Sequence, residues 1–158
     1  MRSIFIFLLI IISCSEDDNK NIKVQVPIPT SINSLFNEKP EIIKLDLTSS
    51  SQIESWVQMI SFTEKFSDLF EKEINHKSKI KLLSTDLDKI KKETIPGKYK
   101  TSPIIGRIRV VNTYLQKIDS YLLNQDNLEA YKIDLENLVE SYNGLLFQIN
   151  LITKQLDN

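Results

Sequence analysis

The chain has 158 residues, with 20 basic side chains against 21 acidic ones and a formal net charge of −1. That balance gives no support for nucleic-acid binding, because a phosphate backbone demands a basic surface. The single cysteine excludes a disulfide within the chain, and the single histidine leaves few routes to nucleophilic or metal-based catalysis. With only three glycines and five prolines, the composition favours helices.

The N-terminal residues 1–13 have the pattern of a secretory signal peptide. Arg2 precedes a run of nine apolar residues, and the small Ser13 stands immediately before Cys14. As a helix the apolar run would span about 14 Å, whereas a bilayer core needs roughly 30 Å. We therefore expect a cleaved leader and not a permanent membrane span.

The sequence Ile11-Ile12-Ser13-Cys14 resembles the lipobox of bacterial lipoproteins. The resemblance implies cleavage between Ser13 and Cys14 and attachment of a diacylglycerol to the Cys14 thiol. The next residues, Ser15-Glu16-Asp17-Asp18, resemble the acidic export signal of surface lipoproteins of Bacteroidota. Together these resemblances imply a lipid-anchored protein of the outer membrane, with the outer surface favoured over the periplasmic face.

Residues 14–50 are interpreted as the lipidated cysteine and a mostly extended tether. Ile43, Leu45 and Leu47 alternate with polar residues, which is the period of a half-buried strand, but no second strand is predicted to pair with them. We expect the second half of the tether to lie extended against the helices. Three prolines prevent a long helix in this segment, namely Pro27, Pro29 and Pro40.

The helical bundle domain is predicted over residues 51–158. Ser51 and Glu54 form a capping-box pattern that predicts a helix start. The chain then carries a heptad seam, a row of positions spaced alternately by three and four residues. No glycine or proline interrupts residues 71–78, so one long helix of roughly 52–94 is favoured over two helices joined near Asn75. The seam positions are Met59, Phe62, Phe66, Leu69, Glu73, His76, Ile80, Leu83, Leu87, Ile90 and Thr94.

Two further helices are predicted after the break at Thr94-Ile95-Pro96-Gly97. Ser102-Pro103 supplies a cap and a proline at the first helical position, and Asp126 is the expected cap of the last helix. Because the join is short, helices over 103–124 and 127–156 should form an antiparallel hairpin. The predicted fold class is all-α, a three- or four-helix antiparallel bundle with coiled-coil-like seams.

No catalytic set is identified in the sequence. Glu73-Ile74-Asn75-His76 matches the Glu-x-x-His spacing of di-iron ligands in ferritin-like bundles, but such a site needs the motif twice and the chain has one histidine. A polar pair at a helix kink is the favoured interpretation. We therefore expect no metal, no cofactor and no enzymatic activity.

Two residues are speculative ligand-binding candidates. Arg107 lies in a strongly apolar helix segment, where a buried guanidinium would need a carboxylate from a neighbouring helix, the favoured alternative, or from a ligand. Trp56, together with Phe62, Phe66 and Phe70, would either line a small apolar pocket or, as favoured, belong to the core.

The sequence thus predicts a lipid-anchored extracytoplasmic protein whose helical bundle is a non-catalytic module for binding another protein. One alternative is a lipoprotein that holds a small apolar or anionic ligand beside Trp56 or Arg107, which would require a cavity there. A second alternative is an accessory subunit of a surface uptake or secretion complex.

Overall fold

A computed structural model describes residues 32–36, 38–71, 76–90 and 94–156 of the chain. The predicted signal peptide, Cys14, the acidic residues 15–18 and Glu73 lie outside the described residues. The described part is an all-α bundle, as predicted, with five α-helices and no strand. The helices are α1 (Leu47–Gln52), α2 (Val57–Glu71), α3 (His76–Asp88), α4 (Ser102–Ser120) and α5 (Leu128–Leu156).

Helices α2 to α5 form the bundle in up-down-up-down order. Polar contacts between each consecutive pair of helices join residues in the antiparallel sense, and short 3₁₀ segments (Gly97–Tyr99 and Gln125–Asn127) precede α4 and α5. The contacts are Lys65 with Asp86 between α2 and α3, Asn112 with Asp88 and Lys77 with the Tyr121 carbonyl between α3 and α4, and Lys117 with Asp134 between α4 and α5.

The prediction of one long helix over 52–94 is wrong, and the alternative of two helices is correct. Helix α2 ends at Glu71, α3 begins at His76, and Lys65 of α2 forms an ion pair with Asp86 of α3. In a continuous helix these two residues, 21 positions apart, would be separated by about 31 Å. The seam pattern continues without a break because both helices present their apolar positions to the same core. The spacing of apolar residues therefore predicts which side chains are buried, but it does not predict where the chain reverses direction.

The predicted helix caps are shifted in the structure. The first helix of the domain starts inside the predicted tether, because the Asp46 carboxylate accepts a 2.7 Å hydrogen bond from the Ser49 amide and caps α1. Ser51 lies in the last turn of that helix. Asn124, and not Asp126, caps the start of the Gln125–Asn127 turn, through hydrogen bonds from the Asp126 and Asn127 amides.

The core is built around an aromatic layer between α2 and α5. The rings of Phe66 and Tyr142 stack at 3.7 Å between centroids, and Phe62 and Phe70 flank Phe66. Burial raises the pKa of the Tyr142 phenol, an effect that its hydrogen bond with Ser67 partly offsets. All four rings are fully or almost fully buried, so the favoured core interpretation of the α2 phenylalanines is correct.

An extended segment of residues 41–46, here called the strap, lies along α5. The Asn143 side chain accepts a hydrogen bond from the Ile43 amide (2.9 Å) and donates one to the Glu41 carbonyl (2.8 Å). Asn150 repeats the arrangement one step further, accepting from the Asp46 amide and donating to the Lys44 carbonyl, each at 3.2 Å. The expected half-buried strand thus finds its partner in two side-chain amides and not in a second strand.

The spacing of the two asparagines matches the spacing of the strap. Seven residues of helix rise about 10.5 Å, and three residues of extended chain cover about 10 Å. Asn143 and Asn150 therefore meet backbone groups three residues apart without distorting either element. Each amide side chain satisfies one backbone donor and one backbone acceptor of the strap.

Replacing both Asn143 and Asn150 with alanine should release the strap. Four hydrogen bonds are lost, and we expect the unfolding free energy to fall by about 1–2 kcal/mol for each asparagine. Amide hydrogen exchange at Ile43 and Asp46 should accelerate at least about tenfold, while the α4 amides keep their protection. Gln148→Ala on the same helix is the control, and equal acceleration in that variant would contradict the proposed role of the asparagines.

The α2–α3 ion pair predicts a dependence of stability on acid pH. Hydrogen bonds from Lys65 and Lys89 lower the pKa of the Asp86 carboxyl below its ordinary 3.8. A lowered pKa stabilises the fold above the ordinary value, and the effect disappears as the pH falls through the folded-state pKa. Asp86→Asn should therefore cost up to about 1 kcal/mol at neutral pH and progressively less as the pH falls below 3.8. Urea unfolding at neutral pH and at a series of acid pH values measures this, with the exposed Glu54→Gln as the control that should show no such difference.

Candidate functional site

Trp56 belongs to the core, which was the favoured interpretation. Its side chain is fully buried and stacks on Tyr99, with ring centroids 6.1 Å apart. The Tyr99 hydroxyl shares a 2.8 Å hydrogen bond with Thr153 of α5, which fixes the pair at one end of the bundle. Trp56 does not line either of the two clefts described below.

Arg107 is exposed, contrary to the expectation of a buried guanidinium. Ile104 and Ile108 lie on the core face of α4. Arg107 precedes Ile108 by one residue and is therefore turned by about 100° from it, to the side of that face. Its guanidinium crosses to α5 and lies over Gly144, where Nη1 is 2.6 Å from the position that a Cβ would occupy. The missing side chain of Gly144 gives Arg107 its place on the surface.

A shallow groove of about 300 Å³ runs between α4 and α5 where Arg107 crosses. Glu140 lines the same groove as Arg107, but no ion pair joins them, and among the described residues no carboxylate lies within ion-pair distance of Arg107. The groove therefore presents one cation and one anion on the surface, each with capacity for a partner.

Helix α5 carries apolar side chains on the face opposite the core. Phe147 is 56% exposed, Ile133 49% and Leu151 38%. These residues belong to a row with alternating steps of four and three, which places all its members on one face of the helix. We call this row the outer seam, and its members are Ile133, Asn137, Glu140, Gly144, Phe147 and Leu151.

The outer seam is present in the sequence, but the core positions of α5 make it difficult to recognise. The core positions of α5 follow the same spacing half a turn away, and their large residues dominate the pattern. The polar Asn137 and Glu140 and the small Gly144 interrupt the outer row, so that composition alone does not distinguish it from an ordinary solvated face. Only burial separates the two rows: Leu135 and Leu145 are enclosed while Phe147 is half exposed.

A second cleft, of about 440 Å³, lies between the strap, α2 and α5. Leu45, Ile60 and the edge of Tyr142 form its apolar part, and hydroxyl groups and charged side chains form the rest. Nothing in the sequence indicated this cleft, because it exists only where the strap crosses two helices that are distant in the chain. Its polar lining comprises Lys44, Ser50, Thr63, Glu64, Ser67 and Asp68.

Three polar residues at the α4–α5 hairpin also escaped the sequence analysis. The Asp134 carboxylate is almost fully buried and accepts hydrogen bonds from Lys117 Nζ (2.7 Å) and from the Tyr121 hydroxyl (2.6 Å). The bond to Asp134 raises the pKa of both Lys117 and Tyr121, because each side chain is held in its protonated form. The cluster satisfies its own hydrogen bonds and joins the two helices.

Within the described residues, no group of three or more histidine, cysteine, aspartate or glutamate side chains is arranged to hold a metal ion. His76 is buried and packs against the ring of Tyr131 at 5.6 Å, whereas Glu73 lies outside the described part. The same part of the chain contains no helix with the length and apolar character needed to cross a bilayer.

Comparison of the chain with protein-family models, curated proteins and solved structures finds no match.

Proposed function

We propose that the chain is a lipid-anchored extracytoplasmic protein whose helical bundle binds another protein through the outer seam of α5. The anchor is the diacylglyceryl group on Cys14 implied by the lipobox resemblance, and the outer surface of the outer membrane is the favoured location. Two or three acyl chains hold a protein stably, since each buried methylene contributes about 0.8 kcal/mol. The module acts by contact and not by catalysis.

The observation that supports the binding role is the exposed apolar face of the longest helix. Phe147, Ile133 and Leu151 lie on one side of α5 and are exposed among the described residues, because the core occupies the opposite side of the helix. A side chain such as Phe147 contributes most when a partner removes it from water, and aromatic residues are enriched in protein interfaces. Glu140 and Arg107 flank the apolar positions with charges that can select a partner.

The anchoring part of the proposal is tested by the mass of the full-length protein expressed in a bacterium of the Bacteroidota. A diacylglycerol-sized gain that disappears in Cys14→Ala would support lipidation, and unchanged mass would overturn it. Protease treatment of whole cells distinguishes the leaflets. Digestion supports surface display, and protection would place the bundle in the periplasm, as expected for an envelope-complex subunit.

The binding part is tested by photo-crosslinking in the same cells. A photoreactive amino acid at Phe147 should give a protein adduct, and one at Leu82 of α3 should not. Leu82 is a matched control because it is 54% exposed, against 56% for Phe147. Adducts from both positions, or from neither, would overturn the assignment of the outer seam as the binding surface.

The cleft beneath the strap favours a second candidate function, the binding of a small amphipathic ligand. Its volume of about 440 Å³ is within the range of small-molecule sites, and it combines an apolar floor with hydroxyl groups and charges of both signs. The fluorescent probe anilinonaphthalene sulfonate should bind the full chain, and Ile60→Trp, which fills the cleft, should abolish that binding. Probe binding that survives in Ile60→Trp would place the probe elsewhere and remove the support for this candidate.

A further inference from the structure

The outer seam of α5 is symmetric about its own midpoint. Counted from position 142, Ile133 and Leu151 lie nine residues away on either side, Asn137 and Phe147 five, and Glu140 and Gly144 two. The ends are thus apolar on both sides, and the centre pairs a charged residue with the smallest one. A row with this arrangement can face a reversed copy of itself with its apolar ends in contact and Glu140 at the level of Gly144.

We propose that the partner of the outer seam is a second copy of this chain, with the two α5 helices antiparallel across a two-fold axis. Such an interface is isologous, because each contact occurs twice. Ile133 of one copy packs on Leu151 of the other, and Phe147 packs beside Asn137. This inference rests on the proposed binding role of the outer seam and identifies its occupant.

Charge complementarity supports a second copy over other occupants. In the antiparallel pairing Glu140 lies at the level of Gly144 of the second copy, and Arg107 of that copy covers its Gly144. Each Glu140 thus meets the Arg107 guanidinium of the other chain, and two ion pairs form at the centre of the interface. Within one chain the two residues line the same groove without pairing, so both charges are available.

The size of the seam predicts a weak dimer in solution and a stronger one on a membrane. Six positions on one helix face bury less than the roughly 1,600 Å² of a standard interface. Anchoring confines the copies to a surface and raises their effective concentration, which strengthens association without adding contacts. A dimer that forms at the membrane is therefore the expected state.

The test is copurification of two differently tagged full chains expressed together in the same bacterial host as the photo-crosslinking experiment. Wild-type copies should copurify. Phe147→Asp should reduce the yield of pairs at least about tenfold, since it removes the largest apolar side chain of the interface and places a carboxylate within one turn of Glu140 of the second copy. Leu82→Asp, the matched exposed position on α3, should leave the yield unchanged. Circular dichroism of each purified variant confirms that it has folded.

A charge exchange identifies the geometry. Copies that all carry Arg107→Glu place two glutamates against each other, and copies that all carry Glu140→Arg place two arginines against each other, so both sets should pair poorly. In a mixture of the two variants, the introduced glutamate of one chain meets the introduced arginine of the other, and the second contact keeps the native pairing of Arg107 with Glu140. The mixture should therefore recover most of the wild-type yield. Such recovery requires contact between chains, because no change within one chain can produce it.

Copurification and photo-crosslinking together distinguish failure of the dimer from failure of the proposed binding role. Absence of wild-type pairs, or no recovery in the mixture, overturns the dimer. If the photoreactive residue at position 147 then labels a different protein, the outer seam remains a binding surface and only the identity of its occupant is wrong. If position 147 labels nothing, both the dimer and the proposed binding role are overturned.

Discussion

Phe66→Ala should lower the unfolding free energy of the bundle by about 3–5 kcal/mol. The side chain is fully buried, stacks on Tyr142 at 3.7 Å and contacts Phe62 and Phe70. Its removal forfeits the burial of an aromatic ring and leaves a cavity between α2 and α5 that rigid neighbours cannot fill. A loss of this size is a large part of the roughly 5–15 kcal/mol that stabilises a typical domain.

The matched control is Phe147→Ala, the same substitution at an exposed position of α5. It should change the unfolding free energy by no more than about 0.5 kcal/mol when the protein is dilute enough to be monomeric. Urea unfolding followed by circular dichroism measures both variants, and Phe66→Leu should fall between them. Equal effects at positions 66 and 147 would mean that the aromatic layer is not the centre of the core.

The core of the bundle could be predicted from the sequence because buried side chains recur with the period of a helix. Phe62, Phe66, Ile80 and Leu83 are all seam positions, and all are enclosed. This spacing does not determine whether the chain continues in one direction or reverses. An unbroken alternation of three- and four-residue steps is compatible with one helix or with two antiparallel helices. The ion pair between Lys65 and Asp86 shows that there are two helices, but it can be recognised only in the structure.

Polar features were harder to predict than apolar ones. Arg107 has apolar neighbours in sequence, but the decisive fact is its angle on α4 and the absence of a side chain at Gly144. Asn143 and Asn150 look like ordinary surface amides of a helix, and their role depends on a segment more than a hundred residues away in the chain. Contacts of this kind depend on tertiary packing and leave no local pattern.

Self-association through α5, as proposed, is compatible with the packing of the bundle. The outer seam lies on the face opposite the core, so two copies can pair without disturbing either bundle. The strap runs along another side of α5 and leads toward the N-terminal residues, where the proposed anchor lies. Two-fold pairing at the outer seam would thus bring two anchors and two bundles into one assembly while leaving the cleft beneath each strap accessible.

Asp134→Ala should destabilise the bundle by about 2–3 kcal/mol, the second largest effect that we expect. The carboxylate is 4% exposed and holds Lys117 and Tyr121 of α4 against α5. Breaking a buried ion pair typically costs about 3–5 kcal/mol, but Lys117 is 54% exposed and water can solvate it, so the cost is smaller here. The Tyr121 hydroxyl loses its acceptor, which adds to the cost.

A second measurement separates this role from a simple packing defect. Because its hydrogen bond to Asp134 raises the pKa of Tyr121, the phenol should lose its proton at a lower pH in Asp134→Ala, as ultraviolet difference absorbance can record. The raised pKa of Lys117 implies that the stabilisation persists at neutral pH and is lost as the pH rises above the ordinary 10.5 of lysine. Glu136→Ala, an exposed acid two residues along α5, should change neither property. An unchanged Tyr121 titration in Asp134→Ala would show that the carboxylate does not hold the tyrosine.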